Sequence, residues 1–579
     1  IPAVPFFVIN LVMGLVPIST VRFFLVSQIG MLPGTIVYIN AGTQLSQLES
    51  LSGIMTPGIL GSFVLLAIFP FIARAIGNNI APEIQHYFKR RKALATYKKP
   101  AKFDFNLLVI GAGSAGLVTA YIAAAVKAKV GLIEKNKMGG DCLNTGCVPS
   151  KALIHTGKIL AYARDSQRYG IKKMTAEVDF AEVMERVHRI IKKIEPHDSV
   201  ERYTGLGVDC IQGKGTIKSP YEVEVNGKIH TAQHIVVAAG GEPLVPPFEG
   251  LDKVDYRTTD DLWEIREQPK RFLVLGGGPI GSELAQAFRR LGSEVTQVEM
   301  ADRILIKEDP DVAKVVIDRL REEGLHLMTG HKAKRFDKIA GQNVLFAEGP
   351  GGNEVNVEFD LCLMALGRRA RVEGYGLENV GIGLDERKTI AVDPYLATSM
   401  PNIYVCGDAI SPYQFTHTAA HEAWFCAVNA LFWPLRRFRV DYRVIPWVTY
   451  TDPEVARVGL NETEAKEQGI DHEVTIYGLD DLDRAIAEDE DHGMVKVITP
   501  PGKDKILGAT IVGHYAGELI TEFVAAMKGN YGLNRILGTI HSYPTFSEAN
   551  KYAAGVWKKK NKPEKILAYL EKFHSWRRG

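Results

Sequence analysis

The sequence predicts an α/β protein of several domains preceded by a helical, membrane-embedded segment, and three observations carry that expectation. From Phe103 onward, short apolar strands alternate with helices, the mark of parallel α/β layers. A glycine-rich strand, turn and helix occur twice, in FNLLVIGAGSAGLVTAYIAAA and RFLVLGGGPIGSELAQAFRRLG. The first eighty residues, by contrast, are apolar almost throughout. A chain of 579 residues exceeds what one core organises, so domains of roughly 100–200 residues are expected. A net charge of +2 gives no support to a nucleic-acid-coating role. The six cysteines, Cys142, Cys147, Cys210, Cys362, Cys406 and Cys426, are too few and scattered for a disulfide-stapled secreted scaffold.

The chain opens on Ile1 in apolar sequence, and an upstream extension is expected. Residues 1–19 approach the length of a bilayer crossing but are interrupted by Pro2, Pro5 and Pro17; the run from Gly58 to Ile76 is the better span. Between them, TVRFFLVSQIGMLPGTIVYINAGTQL is apolar and punctuated by Gly30, Pro33 and Gly34. This segment resembles the C-terminal part of the VTT (SNARE-associated, DedA/TVP38-like) membrane family, and within it Arg22 is the intramembrane charge of interest. Seven Lys or Arg between Lys89 and Lys102 follow the second run. Basic residues beside a span favour the cytoplasmic side, which places the rest of the chain there and adds a lipid bilayer to its partners.

In the first glycine unit Gly111, Gly113 and Gly116 lead from strand to helix, and the next strand, KVGLIEK, presents Glu134. Glycines at this spacing let backbone approach a pyrophosphate at a helix N-terminus, where the dipole favours negative charge, while the acidic residue about twenty positions on holds ribose hydroxyls. Gly276, Gly278, Gly281 and Glu299 repeat the arrangement. One such motif is weak evidence, whereas two in the demanded context imply two dinucleotide cofactors. A carboxylate at Glu299 repels a 2′-phosphate and so favours NADH; nearby Arg303 weakens the preference and leaves NADPH as the alternative.

Cys142 and Cys147 stand five positions apart in GGDCLNTGCVPSK. Zinc would want two further Cys or His ligands at short spacing, which the neighbourhood lacks, so no metal site is expected. A redox disulfide beside the first dinucleotide is the best account of the pair.

GGDCLNTGCVPSKAL resembles the active-site signature of class I pyridine nucleotide-disulfide oxidoreductases, the family of dihydrolipoamide dehydrogenase, glutathione reductase and mercuric reductase. NIYVCGDA (402–409), ALGRRA (365–370) and IPWVTYTDPEVARVGL (445–460) extend the similarity over residues 103–560. The resemblance implies an FAD-binding domain in two parts (103–267 and 383–440), an NAD(P)-binding domain (268–382) and a dimerisation domain (441–557), acting as a homodimer. Residues 1–82 would form the membrane segment, 83–102 the basic linker and 558–579 a basic amphipathic tail. Asp408 would bind the FAD ribityl chain. Hydride would pass from NAD(P)H to flavin and then to the disulfide, with Cys147 as the thiolate beside the flavin and Cys142 as the thiol that meets the acceptor. Lys151 would pair with Glu283 near flavin N5, and Pro279 stands where some relatives carry an aromatic gate. The helix begun in QFTHTAAHEA would aim its N-terminal amides at the flavin, with His417 and His421 structural.

HSYPTFSEAN (541–550) departs from the pattern. Relatives acting on dithiols carry a His before this Pro-Thr and a Glu five residues later, a dyad contributed across the dimer to the cysteines of the other subunit; here the Glu is kept as Glu548 and Tyr543 stands in place of the His. A phenol with a pKa of about 10 is a poor base near neutrality. His541 lies two residues away, on the same side of an extended segment. Mercuric reductases also carry Tyr at this position, but the chain lacks their C-terminal cysteine pair. The expected acceptor is thus a disulfide, a metal ion or a quinone. The reading from another class is a membrane transporter or lipid-handling protein with a redox-sensing flavin domain. In the tail, Ile566, Leu567, Leu570 and Phe573 share one helical face, which suits either the protein's own body or a membrane surface.

Overall fold

The computed structural model describes residues 92–410, 413–433 and 435–579, together with a few helical positions between 35 and 68. Both expected spans, 1–19 and 58–76, and Arg22 fall outside the described residues apart from three helical positions in the second span. Among the described residues no helix is long and apolar enough to cross a membrane. The chain divides into two units, 1–96 and 97–579, and the following concerns the second.

Runs such as LLVI and VGLI are apolar on both faces because their strands lie inside parallel sheets covered on both sides. Strands β1 (Phe105–Ile110), β2 (Val130–Glu134), β3 (Val208–Gln212) and β4 (Lys228–Val237) belong to the first, seven-stranded sheet and run mutually parallel in the order β3-β2-β1-β4, with an antiparallel pair, Gly215–Ser219 and Glu222–Val225, continuing it beyond β4. Helix α1 (Ser114–Ala125) connects β1 to β2, and α2 (Gly140–Asn144) and α3 (Cys147–Arg164) follow β2.

A second parallel sheet contains β5 (Arg271–Leu275), β6 (Glu294–Glu299), β7 (His326–Thr329) and β8 (Leu361–Met364), with α4 (Pro279–Leu291) joining β5 to β6. The chain then returns to the first sheet: β9 (Ile403–Val405) pairs parallel with β4 and leads to α5 (Thr416–Phe432).

The remainder forms an antiparallel sheet. Its strands β10 (Pro446–Thr449), β11 (Glu454–Gly459), β12 (Glu473–Gly478), β13 (Met494–Thr499) and β14 (Gly508–Gly513) run in the order β10-β11-β14-β13-β12. Helices α6 (Ala516–Lys528) and α7 (Glu548–Lys560) supply Phe523, Ala553 and Trp557 to its core, and α8 (Glu564–Arg578) closes the chain.

One apolar cluster joins the three lobes: Leu153 of α3 packs with Phe272 and Phe288 of the second sheet's lobe and with Val455 and Val512 of the antiparallel sheet. Gly157 of α3 makes that approach close, because a Cβ there would lie 3.6 Å from the Ala287 Cα of α4. Arg290, 2% exposed, crosses the same seam between Glu323 at 2.6 Å and Asp452 at 2.9 Å. A buried cation without both partners would be strongly destabilising, so the ion triad fixes the pairing of these lobes.

Candidate active site

The two glycine turns have nearly the same shape. Gly111 and Gly276 sit at φ +102° and +108°, and a Cβ on either would meet a carbonyl oxygen, of Ala238 or Ala365, at 2.3 Å. Only glycine fits there. Gly116 and Gly281 face the carbonyls of Gly111 and Gly276, which draws each helix against its strand. Glu134 accepts the Ala112 and Asn136 amides, each at 2.7 Å; Glu299 accepts the Gly277 amide at 2.5 Å and the Ala301 amide at 2.7 Å. Each carboxylate is therefore fixed beside its turn.

The cysteine segment docks on the first turn. The Gly139 amide donates to the Ala112 carbonyl at 2.9 Å, and a Cβ on Gly140 would lie 2.6 Å from the Gly113 Cα. This backbone contact holds α2, and with it Cys142, beside the first turn. Asp141 pairs with Arg368 and, at 3.6 Å, with Arg371, while Trp263 Nε1 donates to the Thr145 carbonyl at 2.9 Å.

At the start of α3, Cys147 Sγ lies 3.5 Å from Thr416 Oγ1, at the first turn of α5. Both cysteines are in the dithiol form. A hydrogen bond from the Cys142 thiol, another from Thr416 and the Lys151 ammonium outweigh burial and hold the Cys147 thiol down at about 6. The same sulfur contact, reinforced by burial, pushes Cys142 well above the ordinary thiol range. At pH 7 the proton of the pair therefore resides on Cys142. Lys151 Nζ is 2.8 Å from Glu283 Oε2 and 4.2 Å from the Tyr450 ring centre; the Tyr450 amide donates to Glu283 Oε1 at 2.9 Å.

A single cleft of about 2890 Å³ is lined by Gly111, Gly113, Glu134, Cys142, Cys147, Lys151, Gly276, Gly278, Glu283, Glu299 and Asp408. It exceeds the ~300–1,000 Å³ that holds one small ligand, and its two glycine cradles would take two dinucleotides. Gly116 and Gly281 pack behind the turns. Asp408, raised by burial despite Arg368 Nε at 3.7 Å, sits at the cleft wall near α5. Glu422 accepts the Gly407 amide at 2.7 Å and the Tyr442 hydroxyl at 2.6 Å, and burial raises it to about 7. His417 Nε2 lies 2.8 Å from the Pro446 carbonyl, in keeping with a structural place.

Arg303 spends its guanidinium on the carbonyls of Leu305, at 2.8 Å, and Glu308, at 2.7 Å, so it does not face the Glu299 carboxylate's cleft. Tyr543 and Glu548 are not among the cleft residues. Tyr543 is 68% exposed and donates to Asp483 Oδ2 at 2.9 Å, a bond that raises its pKa further. Glu548 is buried and accepts from the Tyr552 hydroxyl at 3.1 Å. His541 turns to Glu522, with Nε2 3.0 Å from Oε1, rather than to Glu548.

Thr416, Tyr450, Asp141, Glu422 and the Gly139–Gly140 contact were not singled out from the sequence. The paired glycines ahead of Cys142 were a signal for the last, and Asp141 stands beside Cys142 itself; Thr416, Tyr450 and Glu422 come from distant segments.

The family model described as pyridine nucleotide-disulphide oxidoreductase matches residues 105–423, and the dimerisation domain of the same family matches 445–554. Neither reaches residues 1–82, and the membrane-family resemblance there gains no support. A mercuric reductase from Staphylococcus aureus is 32% identical over 78% of this chain and 82% of its own length. A dihydrolipoyl dehydrogenase from Thermus scotoductus is 35% identical over 78% and 96%. Among solved structures, LpdA from Mycobacterium tuberculosis (TM-score 0.71) and the HOCl-induced flavoprotein disulfide reductase RclA from Escherichia coli (0.70) are each 25% identical over 78% of this chain and 99% of theirs. With two cradles, a cysteine pair and this span of similarity, the chain belongs to the pyridine nucleotide-disulphide oxidoreductases, enzymes that use FAD and NAD(P)H.

Proposed function

We propose that the protein is a homodimeric NADH-dependent reductase in which Cys142 and Cys147 alternate between disulfide and dithiol and deliver electron pairs to a soft metal ion. The single observation that carries the reading is that Cys142 and Cys147 line the same cleft as both glycine cradles, with Cys147 Sγ 3.5 Å from Thr416 Oγ1; contact with the Cys142 thiol, then Thr416 and Lys151, lowers Cys147 and favours the proton on Cys142. FAD in the first cradle and NADH in the second would supply the hydride chemistry.

The chain's own residues do the rest. The amides opening α1 and α4 would hold the pyrophosphates, Glu134 and Glu299 would take ribose hydroxyls, and Asp408 at the cleft wall would take a ribityl hydroxyl. Lys151, oriented by Glu283, steadies negative charge at the reacting edge. Two electrons and one proton open the disulfide into the Cys147 thiolate and the Cys142 thiol. A divalent ion then takes the two electrons, the disulfide re-forms, and the Cys142 proton leaves.

The acceptor assignment rests on Tyr543. Thiol–disulfide exchange needs a thiolate at the attacking sulfur, and an exposed phenol whose pKa is raised by Asp483 is no base for Cys142 at neutral pH. A soft metal ion displaces a thiol proton through its own affinity for sulfur. Relatives named mercuric reductase point the same way. The apolar runs at 1–19 and 58–76 and the basic linker favour a cytoplasm-facing enzyme attached to a bilayer, where a quinone is the competing acceptor.

Anaerobic titration with NADH, followed by thiol alkylation and an acceptor screen, tests the proposal. Two new alkylatable thiols per flavin and metal-ion turnover above that of lipoamide, glutathione disulfide and quinone are expected. Flavin reduction that leaves the two cysteines unalkylatable would sink it. Tyr543→His should raise dithiol turnover on the order of 10²-fold, the usual contribution of a placed base.

A further inference from the structure

We infer that α8, the C-terminal helix, is a docking element for an anionic lipid bilayer. None of its residues is buried, although α7 immediately before it inserts Ala553, Ala554 and Trp557 into the core. Packing against the protein's own body, the alternative open from the sequence, is therefore not what the structure adopts.

Helical periodicity puts Ile566, Tyr569, Leu570, Phe573 and Trp576 on one face, with Leu567 at its border. These side chains stand in water, with Tyr569 73% and Trp576 77% exposed. Tyr and Trp flanking aliphatic residues is the composition of a helix lying in the interface plane of a membrane.

Charge selects the occupant. Residues 558–579 carry eight Lys or Arg against two Glu. Lys558 donates to Asn534 and Lys560 pairs with Glu473. Lys562 pairs with Glu564 and Arg578 donates to Ser575, both within the tail itself, and Lys559, Lys565 and Lys572 lie outside these ties. A surface of anionic head groups attracts each such cation. A neutral bilayer would gain only from the apolar face. The helix also lies beyond residue 554, where the dimerisation match ends, so no established interface accounts for its exposed face.

Limited trypsin digestion of the full chain, read by mass spectrometry at Lys565, Lys572 and Arg577, tests this without depending on any other membrane contact. Phosphatidylcholine vesicles with roughly one third phosphatidylglycerol should slow cleavage at these sites about fivefold or more relative to phosphatidylcholine alone. Molar salt should reverse most of that slowing, and Leu570→Glu with Phe573→Glu should abolish it at unchanged flavin content. Equal rates on the two kinds of vesicle would overturn the inference. So would slow cleavage without vesicles that the double variant relieves, because a second copy or the protein's own body would then be the cover.

Discussion

The two glycine turns match in backbone and differ in surroundings. Gly113 of the first has the Gly140 Cα 3.8 Å from where its Cβ would stand, whereas Gly278 of the second has nothing within 4 Å. One turn is roofed by the cysteine segment and the other is open. The same local sequence thus serves two purposes: a covered cradle suits a cofactor that stays through every cycle, and an uncovered one suits a nucleotide that must enter and leave. Pro279 and Ile280, which follow the second turn and line the cleft, bring no aromatic side chain of their own.

This difference can be broken at the roof. Gly140→Ala forces a Cβ to 2.6 Å from the Gly113 Cα at φ +58°. Strain of this kind costs ~1–3 kcal/mol, and the purified variant should retain little flavin by visible absorbance while the second cradle still binds NADH. Unchanged flavin content would mean that the roof does not hold the first cofactor.

The open turn gives a smaller effect of opposite kind. Gly278→Ala meets no protein atom, so melting temperature and flavin content should stay unchanged. The methyl group meets only the incoming pyrophosphate, and KM for NADH should rise about tenfold, equivalent to ~1.4 kcal/mol. If stability falls instead, the turn is not open.

The carboxylates sharpen the comparison further. Steady-state kinetics should favour NADH over NADPH, and Glu299→Ala should narrow the ratio of kcat/KM by several-fold, ~1 kcal/mol. Glu134→Ala should leave that ratio alone and weaken flavin retention.

The smallest expected change is a titration. A thiol lowered to about 6 keeps its thiolate above that pH and loses it as pH falls through it. Long-wavelength absorbance of the two-electron-reduced enzyme should fade on acidification with a midpoint near 6. Lys151→Met should move the midpoint up by about one unit, since it removes a favourable cation. A midpoint that does not move would assign the depression to Cys142 and Thr416 alone.

Both turns, their carboxylates and the cysteine pair were legible because each is a local pattern whose geometry follows from a few consecutive residues. Gly111 needs its positive φ whatever surrounds it. Thr416 beside Cys147, Tyr450 over Lys151 and Arg368 on Asp141 were not legible, because each joins segments more than two hundred residues apart and leaves no periodic trace. His541 shows the limit from the other side. The extended-chain argument put it on the Tyr543 face, and Glu522 of α6 claims its ring. The apolar runs near the N-terminus stand as sequence patterns outside the described residues.

The close crossing of α3 and α4 at Gly157 and Ala287 has an evolutionary corollary. Those helices carry Lys151 and the start of the second glycine cradle, so the spacing between the sulfur pair and that cradle is set where the two main chains pass in contact. On the reading proposed above, acceptor preference would lie instead in loops such as 541–550. A lineage can therefore trade one electron sink for another by mutating peripheral positions, while the internal wiring is inherited intact.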